Sequence, residues 1–279
     1  MVANEQQIEH WSGKGGAHWA AEQERYDRTL APYTDHIMRA VGAAPGEQIL
    51  DVGCGNGAVS LSLARTVRPG GRVVGVDIAT PMIIRARERA IAEDLHHLTF
   101  IEADAQTHSF DPNFDGVVSR FGVMFFDDPV AAFANVAGSL RSGGRLAFAC
   151  WRDLLINEWI MVPASAALQH VPMPDLGTPG APGPFSLSDP DRILSVLEKA
   201  GFTEITMTDI DEPQWLGDDL DGALAFLQRS DMADTLLAGA NLRTLKRVWE
   251  SVREALAPYV QADGVWLGSA AWLVKAKRP

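Results

Sequence analysis

The sequence predicts an α/β protein built on a parallel sheet that helices cover on both faces. Two observations lead to this prediction. Between residues 46 and 150, short apolar segments alternate with segments of helical spacing, which is typical of right-handed strand–helix–strand crossovers. In addition, the segments VVGV (73–76) and LAFA (146–149) are apolar at nearly every position, as expected of strands that are buried on both faces.

Turn residues bound the elements of this first half. EQILDV (47–52) is a short apolar strand, and the helical segment that follows it stops at RPGG (68–71). Thr80 and Pro81 offer a hydroxyl N-cap and a proline at the first helical position, and DP (128–129) opens another helix. The elements predicted in this way are strands at 47–52, 71–77, 98–104, 114–121 and 145–151, and helices at 58–67, 81–95 and 129–140.

The alternation of strand-like and helix-like segments is interrupted after Trp151. Residues 152–170 have helical, amphipathic spacing, and residues 172–185 contain five prolines and three glycines, which the interior of a helix or strand does not tolerate. The elements predicted beyond this stretch are helices at 188–202, 219–230 and 242–256 and strands at 203–210 and 270–276.

The charge balance and hydropathy exclude several classes of partner. A formal net charge of -12 argues against nucleic-acid binding, which needs a basic face. The densest basic cluster, RARER (85–89), lies on a predicted helix and is interpreted as a solvated face. No apolar run reaches 18 residues and the N-terminus has no apolar signal region, so we expect a cytoplasmic protein without a membrane span.

The two cysteines are expected to be free thiols. Cys54 follows the first predicted strand and Cys150 ends the fifth, and one strand is expected to lie between them. Two strand spacings give about 9–10 Å, from the ~4.8 Å repeat of a sheet. A disulfide needs Cα atoms within about 7 Å. No cluster of His, Cys, Asp and Glu has metal-ligand spacing either, which predicts an enzyme that needs no metal.

A glycine-rich turn is the first candidate for a binding site. In ILDVGCGNGAVS (49–60), Gly53, Gly55 and Gly57 stand at alternate positions between a strand and a helix, where backbone N–H groups can approach a ligand closely. The turn alone also fits the dinucleotide fingerprint G-x-G-x-x-A, with Ala58 at its last position. A tight turn without any ligand is a further alternative.

Three aspartates at the ends of successive strands narrow the choice of ligand. Asp77 suits the two hydroxyls of a ribose, and Asp104 suits the exocyclic amine of a base. Asp51, directly before the glycines, would be repelled by a pyrophosphate. The same carboxylate would favour a ligand that carries a cationic sulfonium and an α-amino group in place of phosphates.

Residues 49–151 resemble the class I S-adenosylmethionine-dependent methyltransferases, in the small-molecule branch often labelled after ubiquinone/menaquinone methylation. The matching motifs, in the order of the family, are ILDVGCGNG, VVGVDIA, FIEADAQ, FDGVVSRFGVMFF and LRSGGRLAFACW. The resemblance implies a doubly wound, seven-stranded sheet in the order 3-2-1-4-5-7-6 with strand seven antiparallel and with helical cap insertions. Residues 203–210 and 269–276 would be strands six and seven.

The same resemblance implies how the chain is divided. Residues 1–45 would form a helical cover of the cofactor site, and residues 46–151 the S-adenosylmethionine-binding core. Residues 152–187 and 211–262 would form a substrate cap, whereas 188–210 and 263–279 would complete the core sheet.

The cofactor site is assigned position by position from the motifs. Asp51 and Gly53 would lie beside the methionine part, Asp77 at the ribose, Ile78 on the adenine and Asp104 at its amine edge. The full set of expected cofactor-binding residues is Trp19, Tyr26, Asp51, Gly53, Cys54, Gly55, Gly57, Asp77, Ile78, Met82, Asp104, Ala105, Arg120 and Phe121. Members of the family that methylate nucleic-acid or protein nitrogen often carry N/D-P-P-Y/F after strand four, and this chain has SRFG there (119–122).

The sequence says less about the molecule that accepts the methyl group than about the cofactor. Aromatic and sulfur-containing side chains predict an apolar pocket for a small, largely apolar or aromatic metabolite, with Trp11, Met124, Trp151, Trp159, Phe185 and Trp215 as the expected contacts. A hydroxyl acceptor benefits from a general base, whereas a carboxylate needs none. The candidate bases are His18, His170 and Glu158.

We therefore expect methyl transfer from S-adenosylmethionine to a small molecule, with O-methylation ahead of C- and N-methylation. An NAD-dependent oxidoreductase and a non-catalytic S-adenosylmethionine-binding protein stay open as alternatives, as does a homodimer.

Overall fold

Eight strands pair into one sheet in the computed structural model, which describes residues 3–111, 113–174, 178 and 180–279. They are β1 Gln48–Val52, β2 Arg72–Asp77, β3 Leu98–Glu102, β4 Phe114–Arg120, β5 Leu140–Trp151, β6 Thr203–Gly217, β7 Val260–Gln261 and β8 Gly264–Lys277. The order is β3-β2-β1-β4-β5-β8-β6, and the two-residue β7 pairs with β8 outside this path. The strands β1 to β5 pair in parallel and β8 runs antiparallel to β5, which confirms the predicted topology.

Eleven helices are present in the described part of the chain. They are α1 Glu5–Ser12, α2 Lys14–Ala21, α3 Gln23–Val41, α4 Ala58–Thr66, α5 Thr80–Ala92, α6 Pro129–Ser139, α7 Glu158–Ala167, α8 Pro190–Lys199, α9 Leu220–Leu227, α10 Asp231–Leu236 and α11 Leu242–Leu256. Single 3-10 turns add Val123–Phe125, Leu154–Ile156 and Ala257–Tyr259. None of the helices in these described ranges has the length and apolar character needed to cross a lipid bilayer.

Apolar side chains on both faces explain the central position of β1. Leu50 pairs with Val74 of β2 on one side and with Val117 of β4 on the other, and all three are at most 2% exposed. Asp51 is the next residue, so it lies close to the carboxyl end of a strand in the middle of the sheet. The carboxyl ends of parallel strands meet at one edge, and this edge is the usual ligand site of such sheets.

Both cysteines are buried and free, as expected from the strand spacing. Cys150 lies on β5, where it pairs with Trp272 of β8, whereas Cys54 follows β1 on the other side of β4.

The helix starts are predicted with mixed success. Asp128 is the N-cap of α6 and accepts a hydrogen bond from the Ala131 amide, as expected. The prediction of Thr80 as an N-cap is wrong by one residue, since Ala79 occupies that position. The Thr80 hydroxyl instead donates to Glu102 Oε1 over 2.6 Å, so it ties α5 to the end of β3.

The second half differs from prediction mainly in the length of its strands. β6 continues past Ile210 to Gly217, and β8 begins at Gly264, five residues before the expected start at residue 269. The short helix α10 was not anticipated between the two predicted helices of this region. Residues 175–177 and 179 of the proline-rich stretch lie outside the described residues.

The chain divides into two compact units. The first contains Met1–Arg152, Gly180–Ile210 and Ala271–Pro279, and so includes β1 to β5 and their helices. The second contains Asp153–Pro179 and Asp211–Ala270, and within it α7 packs against α11. That the second unit serves as a substrate cap stays a prediction.

Candidate active site

The glycine-rich turn after β1 uses backbone conformations that suit glycine. Gly53, Gly55 and Gly57 have φ angles of 66°, 51° and 83°, all in the left-handed region. Glycine adopts this region without the steric cost that a Cβ atom would bring. The amides of Gly53 and Cys54 both donate to the Val76 carbonyl of β2, which anchors the turn to the neighbouring strand. The Cys54 side chain is buried, and burial raises the pKa of its thiol well above the usual range.

Gly122, which lies outside this turn and was not singled out from the sequence, packs against it. A Cβ atom on Gly53 would lie 2.7 Å from the Gly122 Cα, and one on Gly122 would lie 2.8 Å from the Gly53 Cα. The loops after β1 and β4 can therefore approach each other only when both residues are glycine. The available signal was the last residue of SRFG, which follows β4 directly.

Asp51 is a buried carboxyl group with one oxygen still available. It is 1% exposed, and its Oδ2 accepts a 2.6 Å hydrogen bond from the Ser60 hydroxyl of α4. Its Oδ1 has no hydrogen-bond partner among the described residues. Burial raises the pKa of Asp51 to about 7, against the opposing effects of the Ser60 hydrogen bond and the Arg120 charge. A cationic group next to Oδ1 would supply the missing partner and favour the ionised form.

Asp77 ends β2 and holds the glycine-rich turn in place. Its Oδ2 accepts from the Gly55 amide over 2.8 Å and its Oδ1 from the Ala79 amide over 2.9 Å. Burial raises the pKa of Asp77, and these backbone N–H groups partly offset that rise. Each carboxylate oxygen has a second lone pair. The carboxylate therefore keeps some capacity to accept a hydrogen bond from a ribose hydroxyl.

Asp104 lies in the turn after β3. Its Oδ1 accepts from the Gln106 amide over 2.8 Å and from the Asn4 side chain over 2.9 Å. Ala105 is buried, and its carbonyl accepts from the Asn135 side chain of α6 over 2.8 Å. The loop expected at the adenine edge is thus fixed by α6 and by the N-terminal segment.

The residues expected around the adenine lie where α1 and α2 meet α5. The Ile78 carbonyl accepts from the Ser12 hydroxyl over 3.0 Å. Met82 on α5 is 5% exposed, and its Sδ lies 3.6 Å from the point that a Cβ on Gly55 would occupy. The N-terminal helices therefore reach the carboxyl edge of the sheet.

Aromatic side chains of α2 and α3 form a stack near the same turn. Trp19 stacks on Tyr26 with ring centroids 3.7 Å apart and planes 4° apart, and the His18 ring meets Tyr26 edge-on. The Trp19 carbonyl accepts a 2.9 Å hydrogen bond from the Asn56 side chain, which belongs to the glycine-rich turn. Trp11 lies edge-on to Trp19. Four residues expected from the sequence to line the site (Trp11, His18, Trp19 and Tyr26) are thus neighbours.

The basic cluster RARER on α5 is a solvated face only in part, since Arg87 and Glu88 are exposed whereas Arg85 and Arg89 are partly buried. Arg85 donates to the Gln23 side chain, and Arg89 forms a 2.6 Å ion pair with Asp27 of α3. Arg89 also donates to the Asn56 carbonyl over 2.6 Å. The cluster therefore joins the N-terminal helices to the glycine-rich turn, a role that the sequence pattern of a charged helix face does not reveal.

Arg120 ends β4 and Phe121 follows it, and the two side chains contact different neighbours. Arg120 donates to Thr34 Oγ1 of α3 over 2.8 Å, and burial lowers the pKa of its guanidinium group. Phe121 has a φ of 62°, which is uncommon for a residue with a bulky side chain. Its ring stacks on Trp151 with centroids 3.9 Å apart, and this packing holds the strained backbone conformation.

The residues expected to contact substrate fall into both units. In the first unit, the Met124 Sδ accepts from the Trp151 amide over 3.4 Å, and Phe185 is partly exposed. In the second unit, the Trp159 ring N–H donates to Asn157 over 3.0 Å, and Trp215 is buried.

The other two candidate bases belong to the second unit. His170 Nε2 lies 2.7 Å from the Ser251 hydroxyl of α11. Glu158 accepts from the Gly268 amide over 2.9 Å and from the Tyr259 hydroxyl over 3.4 Å. These contacts account for both Glu158 oxygens within the unit, whereas His18 lies in the first unit with the aromatic stack. Within the described ranges, no group of three or more His, Cys, Asp and Glu residues is arranged to hold a metal ion.

The arrangement fits the cofactor that the sequence suggests. A buried carboxylate with an available oxygen suits a cationic amino group, and a carboxylate at the end of β2 suits a ribose. The residues that would hold S-adenosylmethionine are Asp51, Gly53, Gly55, Asp77, Ile78, Met82, Asp104 and Ala105.

The sequence is similar to those of known methyltransferases. Residues 49–144 match the family described as a methyltransferase domain. The chain is 37% identical over 158 residues to the aklanonic acid methyltransferase DauC of Streptomyces sp. (strain C5), a match that covers 53% of this chain and 72% of that protein. It is 30% identical over 193 residues to nocamycin O-methyltransferase of Saccharothrix syringae, with 64% of this chain and 69% of that protein covered.

Solved structures share the fold at lower identity. The Haemonchus contortus phosphoethanolamine N-methyltransferase 2 in complex with S-adenosyl-L-methionine superposes with a TM-score of 0.58 at 20% identity. The superposition covers 100% of this chain and 60% of that chain. At this identity the likeness concerns the fold alone.

Proposed function

Since the chain belongs to the class I S-adenosylmethionine-dependent methyltransferases, we propose that it methylates an oxygen atom of a small, largely apolar or aromatic metabolite. The family confirms the resemblance drawn from the motifs, and it gives S-adenosylmethionine as the cofactor. An NAD-dependent oxidoreductase, the alternative reading of the glycine-rich turn, is thereby set aside.

The buried carboxyl group of Asp51 is the observation that carries the assignment of the site. Its Oδ1 has no partner among the described residues, and it lies beside a turn whose three glycines all have left-handed backbone conformations. We assign Asp51 to the cationic amino acid part of the cofactor, Asp77 to the ribose and Asp104 to the adenine amine. Asp51 of β1, Asp77 of β2 and Asp104 after β3 are three carboxyl groups whose order corresponds to the order of the polar groups of this ligand.

Bound S-adenosylmethionine supplies an activated methyl group on a sulfonium. In-line displacement at such a methyl depends mainly on the placement of the acceptor. The chain then has to hold the acceptor oxygen in line, exclude water and, for a hydroxyl acceptor, remove a proton. The stack of Trp19 on Tyr26, tied to Asn56 of the glycine-rich turn, supports a role for α2 and α3 in covering the methionine end.

The preference for oxygen is supported by the names of relatives. Nocamycin O-methyltransferase is named for transfer to oxygen, and DauC is named for aklanonic acid. A carboxylate acceptor is already ionised at neutral pH, so it needs no general base. For a hydroxyl acceptor we assign the base to His18, because it stands beside the Trp19–Tyr26 stack and on the helix anchored to the glycine-rich turn.

The apolar character of the acceptor follows from the side chains proposed to meet it. Trp11, Met124, Trp151 and Phe185 belong to the first unit and Trp159 and Trp215 to the second. Each of these side chains is aromatic or sulfur-containing, and such side chains favour an aromatic or polycyclic acceptor over a sugar or an amine.

Labelled methyl transfer tests the proposed function. The chain is incubated with S-[methyl-¹⁴C]adenosylmethionine and a panel of aromatic carboxylic acids, phenols, amines and enolic carbon acids. We expect label in methyl esters, released by mild alkali, or in aryl methyl ethers. For a phenol, His18→Gln should lower kcat by about 10²-fold or more, the usual range for general-base catalysis. Transfer to nitrogen or carbon alone would contradict the preference for oxygen.

A further inference from the structure

Asn4 joins the N-terminal segment to two loops at the carboxyl edge of the sheet. It is 2% exposed and precedes α1. Its amide donates to Asp127 Oδ2 over 2.6 Å, and its side-chain Oδ1 accepts from the Asp127 amide over 2.7 Å. Its Nδ2 donates to Asp104 Oδ1 over 2.9 Å and to Gln106 Oε1 over 3.3 Å. Every polar atom of the Asn4 side chain is therefore used.

These contacts determine how the Asp104 carboxylate is presented. The Asn4 side chain and the Gln106 amide both donate to Oδ1, whereas Oδ2 has no hydrogen-bond partner among the residues that the structure describes. Two donors on one oxygen hold the carboxylate plane in a single orientation. The other oxygen keeps its full capacity to accept a hydrogen bond from a ligand.

We infer that Asn4 is a positioning residue that orients Asp104 toward the exocyclic amine of adenine and so makes the site select adenine over a 6-oxopurine. The inference rests on the proposed function, in which Asp104 reads that amine. A 6-oxo group would place an acceptor against the Asp104 acceptor, and this repulsion discriminates against the wrong base. If the carboxylate could turn freely, part of the discrimination would be lost.

Asparagine suits the position for two reasons. Its backbone has a φ of 54°, in the left-handed region that asparagine tolerates better than most residues. Its amide also offers a donor to Asp104 and an acceptor to the Asp127 amide at the same time. An aspartate would keep the acceptor but would bring a third negative charge beside Asp104 and Asp127.

Two variants and a control separate positioning from simple tethering of α1. Asn4→Asp keeps the size of the side chain and its acceptor for the Asp127 amide but removes the donor to Asp104. Asn4→Ala removes all the side-chain contacts. Gln7→Ala is the matched control on α1, since Gln7 accepts from the Trp11 ring N–H over 3.2 Å and makes no hydrogen bond with Asp104 in the described part of the chain. Circular dichroism and thermal melts identify any variant that fails to fold.

Calorimetric titration with S-adenosylhomocysteine and with its 6-oxo analogue, S-inosylhomocysteine, tests the inference. The wild type should bind the adenine form more tightly. Both Asn4 variants should weaken binding of that form by about three- to tenfold, the range for one hydrogen bond, while the 6-oxo form changes less. Gln7→Ala should leave the ratio of the two affinities unchanged. In an Asp104→Ala background, Asn4→Ala should no longer alter that ratio.

Equal losses for both ligands in the Asn4 variants would overturn the inference, because they would mean that Asn4 only tethers α1. Equal affinity of the wild type for both ligands would overturn it as well while leaving the cofactor assignment intact. Absence of any S-adenosylhomocysteine binding to the wild type is a separate outcome, which would overturn the proposed function itself.

Discussion

The chemistry of the Asp51 carboxyl group depends more on its surroundings than on its sequence neighbours. The motif places an acid before the glycines, but only the structure shows that Ser60 occupies one oxygen and that burial raises its pKa to about 7. The free protein therefore holds a proton on Asp51 in mildly acidic solution. A cationic ligand at Oδ1 favours the ionised form and displaces that proton.

The first prediction is that S-adenosylhomocysteine binding releases close to one proton at about pH 6 and tightens as pH rises toward 7. Titrations in two buffers of different ionisation enthalpy measure the proton count. Asp51→Asn should abolish the release. Identical heats in both buffers for the wild type would contradict the assignment of Asp51 to the cationic part of the cofactor.

The same pKa has a consequence for stability. Because the pKa of Asp51 in the folded protein lies above 3.8, the ordinary value of an aspartic acid side chain, the native state binds more protons than the unfolded state between about pH 4 and pH 7. The stability contributed by protonated Asp51 is present below pH 4 and is lost as the pH rises through 7. Unfolding by urea should therefore show Asp51→Asn gaining stability relative to the wild type across this range.

The contact between Gly53 and Gly122 supports a second prediction at the scale of single residues. Gly122→Ala places a methyl group 2.8 Å from the Gly53 Cα and 2.9 Å from the Val52 carbonyl oxygen. We expect a loss of about 1–3 kcal/mol in the free energy of unfolding and weaker cofactor binding, because the loops must separate. Gly138→Ala on α6 is the control, since nothing lies within 4 Å of its Cβ position. Equal effects of the two substitutions in urea titrations would refute this account.

At the scale of elements, the N-terminal helices are held by α5 through side chains rather than by sheet hydrogen bonds. Arg89 joins Asp27 of α3 to the carbonyl of Asn56, and Trp19 of α2 meets the Asn56 side chain. Two of these three contacts are made by Asn56 of the glycine-rich turn, and the third joins Arg89 to α3. We therefore expect cofactor binding at this turn to stabilise α2 and α3 in their folded positions.

The third prediction concerns this linkage. Arg89→Met should cost about 1–3 kcal/mol, the range for hydrogen bonds to charged groups, and should speed amide exchange in α2 and α3 more than in β1 and β2. Arg65→Met is the control, because Arg65 pairs with Glu93 at an exposed site and such pairs contribute about 0–1 kcal/mol. Uniform exchange changes across the first unit would show that Arg89 does not anchor these helices.

The elements of the first half could be predicted because local signals agree with the fold. Asp128 caps α6 as expected, and the apolar runs of β2 and β5 identify buried strands. Thr80 misled the prediction since its hydroxyl bonds Glu102, a partner distant in sequence. The carboxyl end of β6 was missed for a related reason: polar residues such as Asp211 and Glu212 resemble a loop until their pairing partners are known.

Some residues of the candidate site could likewise be predicted from the sequence, whereas others could not. The motif reveals the aspartates at the ends of β1 and β2, and it also reveals the glycines of the turn after β1. Their spacing follows directly from the alternation of strands and helices. Asn4 and Arg89 were not, since each acts through a residue tens of positions away. The left-handed backbone of Phe121 was equally hidden, as its stacking on Trp151 arises only when β4 and β5 are paired.

At the scale of the whole molecule, the first unit contains the assigned cofactor residues, whereas Trp159 and Trp215, which the sequence predicts to contact the acceptor, belong to the second unit. The composition agrees with a small-molecule enzyme, since a net charge of -12 offers no general attraction for nucleic acid. The central claim is that aspartates at the carboxyl ends of neighbouring strands build an S-adenosylmethionine site.

Calorimetric titration of the wild type and of Asp77→Ala with S-adenosylhomocysteine tests that claim most directly. We predict one site per chain in the wild type and a loss of about 1–3 kcal/mol of binding free energy in Asp77→Ala, the range for hydrogen bonds to a charged group. Asp189→Ala, which removes the exposed N-cap of α8, should bind as the wild type does. No binding to the wild type, or equal binding by Asp77→Ala, would contradict the claim.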